Sequence, residues 1–191
     1  MTDEVPLQVE SVYAAPKTDE QPAPKVERRG RPATFFAVSP VKLVVMSIST
    51  LGAYQLFWFY ANWLRLKRRG MPRISPFWRT MFAYFTCYSL FKTVKQMAQS
   101  ANVRASFSPW FCAVGWVILS LLYRLPGPAV LICFGAVFFL VPVQKTMNEV
   151  NAVLDPGHDP NTRFTAWNIV AVVLGGLVFV LAIVGAFLPD K

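Results

Sequence analysis

Residues 35–69 read FFAVSPVKLVVMSISTLGAYQLFWFYANWLRLKRR, and whether this stretch runs straight or turns back decides the architecture. It opens on Ser39-Pro40, a side chain suited to cap a helix followed by a residue suited to its first turn. About ten residues later Thr50-Leu51-Gly52 interrupts it, after roughly 15 Å of helix against a hydrocarbon core of about 30 Å. Lys25, Arg28, Arg29 and Arg31 precede the stretch, and Arg65, Lys67, Arg68, Arg69 and Arg73 close it. Cations accumulate on the cytoplasmic side of membrane helices, so two basic ends imply an even number of crossings between them. The expectation is a re-entrant or kinked helical hairpin over 39–69, with its tip inside the bilayer and the Thr50 hydroxyl serving the exposed backbone there. A single span from Leu43 to Trp63, with Gly52 only packed against a neighbour, is the alternative.

Charge and composition extend this reading outward. Between Glu27 and Glu149 the chain carries fifteen Lys and Arg residues and no Asp or Glu. Unpaired cations beside long apolar runs stay hydrated at an interface or meet an anion, and lipid headgroups are the most abundant anions there. With 54% hydrophobic and 15% charged residues, the chain exceeds what a soluble domain needs. The net charge of +9 sits beside apolar runs and not on a soluble aromatic-studded face, which argues against nucleic acid. Anionic headgroups are the expected contact, with a membrane-protein partner or a second copy of the chain also compatible.

The remaining chain divides readily. Residues 1–33, dominated by Pro, Ala, Lys and Glu, are expected to form a disordered cytoplasmic tail, and an interaction role for the tail rests on that composition alone. Residues 34–191 form the helical membrane domain. No basic segment followed by an apolar run opens the chain, so insertion is expected to rely on internal segments. Ser-Pro recurs at Ser75-Pro76 and Ser108-Pro109, marking two further helix starts; shared capping explains the recurrence better than an ancestral repeat. Residues 76–99 hold an apolar run too short to span, flanked by Arg79, Lys92 and Lys95. They are expected to form an amphipathic interfacial helix with Phe77, Met81, Tyr84, Phe85, Tyr88 and Phe91 on one face. Three transmembrane helices follow over 109–123, 128–144 and 164–188. The second is expected to continue as a surface helix through Met147, Val150 and Leu154. Small residues four apart in the third, Ala171 and Gly175, suit close internal packing. The fold class is thus all-α and multi-pass, with a cytoplasmic N-terminus and a C-terminus on the opposite side.

Chemistry is sparse. His158 lies between Asp155 and Asp159 in a Pro-rich turn that lacks the ligand count of a metal site. Cys87, Cys112 and Cys133 show no CxxC spacing and read as small buried hydrophobes. No nucleophile elbow, HExxH, P-loop or GxGxxG is present. The expectation is no enzyme, no cofactor and no metal. None of the three expected spans holds an Asp, Glu, His, Lys or Arg between its ends, which argues against a proton-coupled pump. A small pore or an accessory subunit of a transport complex survives, because hydroxyls such as Ser120 can line a path. Lys42, one turn into its helix, is expected to snorkel to the headgroups.

Thr50-Leu-Gly-Ala-Tyr54, then Trp58-Phe-Tyr60, Asn62-Trp63 and Ser75-Pro-Phe-Trp-Arg79, resemble a family of small bacterial integral membrane proteins of unknown function. The resemblance covers about residues 38–92 and extends to Asn148, Asn151 and Asn161 to Asn168. It implies a bacterial inner membrane location and supplies no activity. Thr50, Gly52, Tyr54, Trp58, Tyr60, Asn62 and Trp63 are the motif positions it marks, whereas Gln55 and the Pro-rich tail have no counterpart in it.

Overall fold

The computed structural model describes residues 33–125 and 127–187, and every regular element among them is helical. Each Ser-Pro pair begins a helix: α1 is Pro40–Ser49, α3 Pro76–Met81 and α5 Pro109–Leu121. The Ser39 hydroxyl accepts from the Lys42 N–H at 3.2 Å, as an N-cap requires, while Ser75 makes no such bond.

Between α1 and α2 (Ala53–Arg68) the chain reverses. Leu51 and Gly52 take φ of 51° and 89°, and the Gly52 N–H returns to the Ser47 carbonyl at 2.8 Å. Thr50 Oγ1 donates to the Met46 carbonyl at 2.7 Å and accepts from the Tyr54 N–H at 3.0 Å. The tip's backbone is therefore served locally by the turn's own residues. At the other end the Phe36 N–H donates to Asn62 Oδ1 at 2.9 Å. The legs lie side by side, which is the hairpin and not the single span. Gly70, at φ 112°, ends α2 with the Met71 N–H on the Leu66 carbonyl at 3.3 Å.

The expected helix over 76–99 is instead two helices bent sharply at Phe82, α3 and α4 (Ala83–Ser100). Thr86 Oγ1 donates to the Arg79 carbonyl at 2.6 Å, a reach that a straight helix rising 1.5 Å per residue forbids over seven positions. The buried stripe of α4 is Ala83, Cys87, Leu90, Phe91, Val94 and Ala98. Of the face expected at the interface, Phe91 is buried in the protein and Tyr84 lies against Trp116, while Phe77, Met81, Phe85 and Tyr88 are exposed. Small side chains let α4 approach its neighbours, leaving the bulky ones outside.

Two helices are long and apolar enough to cross a membrane, a 28-residue rod Gly127–Leu154 and the segment Ala166–Gly185 of α7 (Ala166–Phe187). The rod begins as a 3₁₀ stretch, Gly127–Phe139, and continues as α6, Leu140–Leu154. The first of the three expected spans, 109–123, corresponds to the shorter apolar helix Pro109–Arg124. At about 24 Å it falls short of a hydrocarbon core of about 30 Å, so the count is two where three were expected. The helix continues through 145–154 as expected, with Met147, Val150 and Asn151 fully buried and Lys145, Glu149, Ala152, Val153 and Leu154 exposed.

α5 folds back along the rod so closely that a Cβ on Gly115 would collide with the Phe139 ring. α7 crosses α1 at Gly175, where a Cβ would meet the Ser49 carbonyl. The pair Ala171 and Gly175 thus serves internal packing. Gly175 is the tenth of the 22 residues of α7, which sets the hairpin tip near the helix midpoint.

Candidate functional site

One end of the molecule gathers the polar residues. The segment 33–38 runs extended into the protein, where backbone groups have neither water nor a ladder to pair with, and side-chain amides pair with them instead. Asn151 grips Phe35 from both sides, Oδ1 accepting from its N–H at 2.8 Å and Nδ2 donating to its carbonyl at 3.1 Å. Gln144 Nε2 donates to the Phe36 carbonyl at 3.0 Å, Asn161 Nδ2 to Ala37 at 3.1 Å and Asn148 Nδ2 to Val38 at 2.9 Å. Gln144 Oε1 also accepts from the Trp58 indole at 2.6 Å, joining α2 to the rod.

Asp155 ties the outer edge of this end. Its carboxylate accepts the Thr34 N–H at 2.8 Å and the Thr34 hydroxyl at 2.7 Å, and forms an ion pair with Arg69. Burial pushes the carboxyl up, but the hydrogen bonds from the Arg69 side chain and from Thr34 outweigh it, so Asp155 sits below its ordinary value. Arg65 donates to the Ala33 carbonyl at 2.8 Å and lies over the Phe36 ring. His158 Nδ1 faces the Asp155 backbone carbonyl at 2.9 Å, an arrangement that belongs to the turn.

Lys42 corrects a sequence expectation. It is 2% exposed, with Nζ donating to Asn161 Oδ1 and to the Arg163 carbonyl, both at 2.8 Å. The 155–165 connection closes over it, so the ammonium is held by oxygen atoms of the protein and does not reach outward.

The motif positions divide into three kinds of work. Thr50 and Gly52 build the tip, Trp58 and Asn62 tie α2 to the rod and to Phe36, and Tyr54 and Tyr60 lie partly or largely exposed beside it. Asn62 Nδ2 also donates to the Trp58 carbonyl at 2.9 Å. Trp63 is buried with its indole N–H unpaired, and the Arg79 guanidinium lies 4.4 Å over its ring. Of the cations, Lys67, Arg68, Arg73 and Lys92 are exposed, and Arg79 and Lys95 are half-buried. Arg28, Arg29 and Arg31, like the tail as a whole, lie outside the described residues.

A second feature lies at the tips. The bend between α3 and α4 comes up beside the first hairpin's turn, and a cavity of about 400 Å³ opens between Gly52, Gln55, Tyr84, Trp116, Ser120 and Cys133. Gln55 Oε1 accepts from the Trp116 indole at 2.6 Å, a second Gln–Trp pair linking α2 to α5. All three cysteines are free thiols, Cys87 and Cys112 buried and Cys133 half-buried.

The resemblance touched Asn148, Asn151 and Asn161 without giving them a role, and sequence reasoning missed Gln144 and the set's work on 35–38, although a signal was present. Gln144, Asn148 and Asn151 are spaced four and three apart, one helical face, and that face meets 35–38. No protein-family model, curated protein or solved structure matches this chain. Fold and geometry define an all-helical protein with two helices able to cross a membrane, and beyond that class its residues carry the reading.

Proposed function

We propose that this chain is a non-enzymatic, multi-pass protein of a bacterial inner membrane whose basic cytoplasmic end holds anionic lipid or an acidic partner. In this reading the rod and α7 cross the bilayer, the shorter α5 carries the chain across alongside the rod, and the hairpins α1–α2 and α3–α4 enter from the cytoplasmic side. The carrying observation is the knot at Asp155. By joining Thr34, Arg69 and the end of α6, it brings the hairpin's entry, its exit and the 155–165 connection to one end of the molecule. The cations of α2 and of the following loop therefore share one face, and each well-placed one attracts an anionic surface by on the order of 1 kcal/mol.

Arg65 and Arg69 hold protein groups, so the charge test belongs to the exposed Lys67 and Arg68. In mixed phosphatidylcholine and phosphatidylglycerol bilayers, spin-labelled lipids report which headgroup surrounds the protein. Lys67→Gln with Arg68→Gln is expected to reduce the preference for phosphatidylglycerol, and addition of salt to reduce it in the unaltered chain. An unchanged preference in both cases refutes the reading.

The cavity between the hairpin tips favours a second reading, a small transporter, channel or accessory transport subunit. Its position near the midpoint of α7 and its Gln55, Tyr84 and Ser120 lining suit a polar solute path. Reconstituted protein should then conduct a solute or ion, with flux reduced by Ser120→Leu or Gln55→Leu. Vesicles impermeable in either form remove it.

A further inference from the structure

A second cavity of about 400 Å³ lies at the basic end, lined by Trp63, Gly70, Arg73, Arg79, Ser89 and Thr93. We infer that it is a discrete binding site for the phosphate of an anionic lipid headgroup, an inference that rests on the membrane reading above and gives its basic face one defined seat.

The donors outnumber the acceptors there. The carboxylates among the described residues are Glu149, Asp155 and Asp159, and the one ion pair among those residues joins Arg69 to Asp155. Arg73 and Arg79 therefore line the cavity without a carboxylate. The Arg79 guanidinium carbon lies 4.4 Å from the centre of the Trp63 ring, a cation–π contact that needs no N–H acceptor, so its N–H groups remain available to a phosphate oxygen pair. Its Nη1 lies 3.5 Å from Ser89 Oγ, at the limit of a hydrogen bond. Thr93 gives its hydroxyl proton to the Ser89 carbonyl at 2.9 Å, so the Ser89 hydroxyl is the one free to donate. Two guanidinium groups and a hydroxyl around one cavity, with no carboxylate among the described residues to neutralise them, call for an oxyanion.

The surroundings favour a lipid over a soluble phosphate ester. Phe77, Trp78, Phe85 and Tyr88 project from the same two helices as Arg79 and Ser89, Phe85 being 83% exposed. A phosphate seated between Arg73 and Arg79 thus has apolar aromatic surface beside it for acyl chains, at the level where aromatic residues meet headgroups.

The test counts lipid retained per chain. Full-length protein is loaded with phosphatidylglycerol in phosphatidylcholine nanodiscs, washed in neutral detergent and weighed by native mass spectrometry. One phosphatidylglycerol per chain is expected to persist. Arg73→Gln with Arg79→Gln should weaken its retention by ~10-fold or more, the loss of a charge-assisted pair. Lys67→Gln with Arg68→Gln, equal in charge change but outside the cavity, should leave it in place. Arg73→Gln alone, on an exposed loop, supplies the same direction of effect if the double variant does not fold. Equal retention in the two double variants overturns the site; the spin-label preference lost on altering Lys67 and Arg68 still stands or falls separately. Glycerol 1-phosphate displacing the lipid as effectively as phosphatidylglycerol itself overturns the lipid as source and assigns the cavity to a soluble phosphate ester.

Discussion

The rod Gly127–Leu154 and the α7 segment Ala166–Gly185 are alike in apolarity, with mean hydropathies of 2.0 and 2.6, yet 28% of the first's most apolar window is buried within the protein and none of the second's. The rod earns its position through specific pairs, the amides of Gln144, Asn148 and Asn151 on the backbone of 35–38. α7 presents Trp167, Val173, Leu174, Leu177 and Leu181 outward and touches α1 where Gly175 removes the side chain from the path. Hydropathy alone does not separate these roles. A helix held by hydrogen bonds defines the protein's interior, whereas one with uncovered apolar surface on most of its length needs a solvent of hydrocarbon, since exposing that area to water costs roughly 25 cal/mol per Å².

The comparison breaks most readily at Asn151. Asn151→Leu leaves a buried N–H and a buried carbonyl of Phe35 without partners, at about 1–3 kcal/mol each, and thermal unfolding in detergent should show a large drop in midpoint. An unchanged midpoint would mean that 35–38 is not held by the rod. Next comes Gly175→Leu, which must displace the Ser49 backbone and should cost about 1–3 kcal/mol as overpacking does. Its neighbour Gly176 has nothing within 4 Å of an added Cβ, so Gly176→Leu should be close to neutral in a bilayer. Equal effects of the two would remove the α1–α7 crossing.

The smallest expected effect is that of acid. The Asp155 carboxyl lies below its ordinary value of 3.8 in the folded chain. Its contribution is therefore complete above that value and is lost as pH falls through the lower folded value. Stability measured in detergent should show an acid-dependent loss below about pH 4 that Asp155→Asn abolishes, and an identical acid profile in the variant would contradict the knot.

Much of this architecture was legible in the sequence because it rests on local backbone chemistry. Ser-Pro marks helix starts by capping, and Thr50-Leu51-Gly52 marks a reversal because a hydroxyl and a glycine at positive φ satisfy the backbone of a tight turn. Two basic ends then argued for a hairpin over a span. What remained hidden depends on which neighbour an apolar or amide face meets. The aromatic side of α4 reads the same whether it faces protein or lipid, and only the small residues Ala83, Cys87 and Ala98 hint that the opposite side packs. Lys42 reads as a snorkelling cation until the 155–165 connection, more than a hundred residues later, closes over it. The amide face of α6 reads as a polar surface because the extended segment that it serves lies far away in sequence, and no periodicity in 33–38 announces it.

Sidedness decides between one basic face and two. Single cysteines at positions 70, 127 and 157, in a chain with Cys87, Cys112 and Cys133 replaced, are to be labelled by a membrane-impermeant maleimide in intact and in opened spheroplasts. Positions 70 and 157 should label only after opening and position 127 in intact cells, because Arg69 and Asp155 meet at one end while Gly127 begins the rod at the other. Labelling of position 70 from outside would contradict the hairpin, and with it the single basic face.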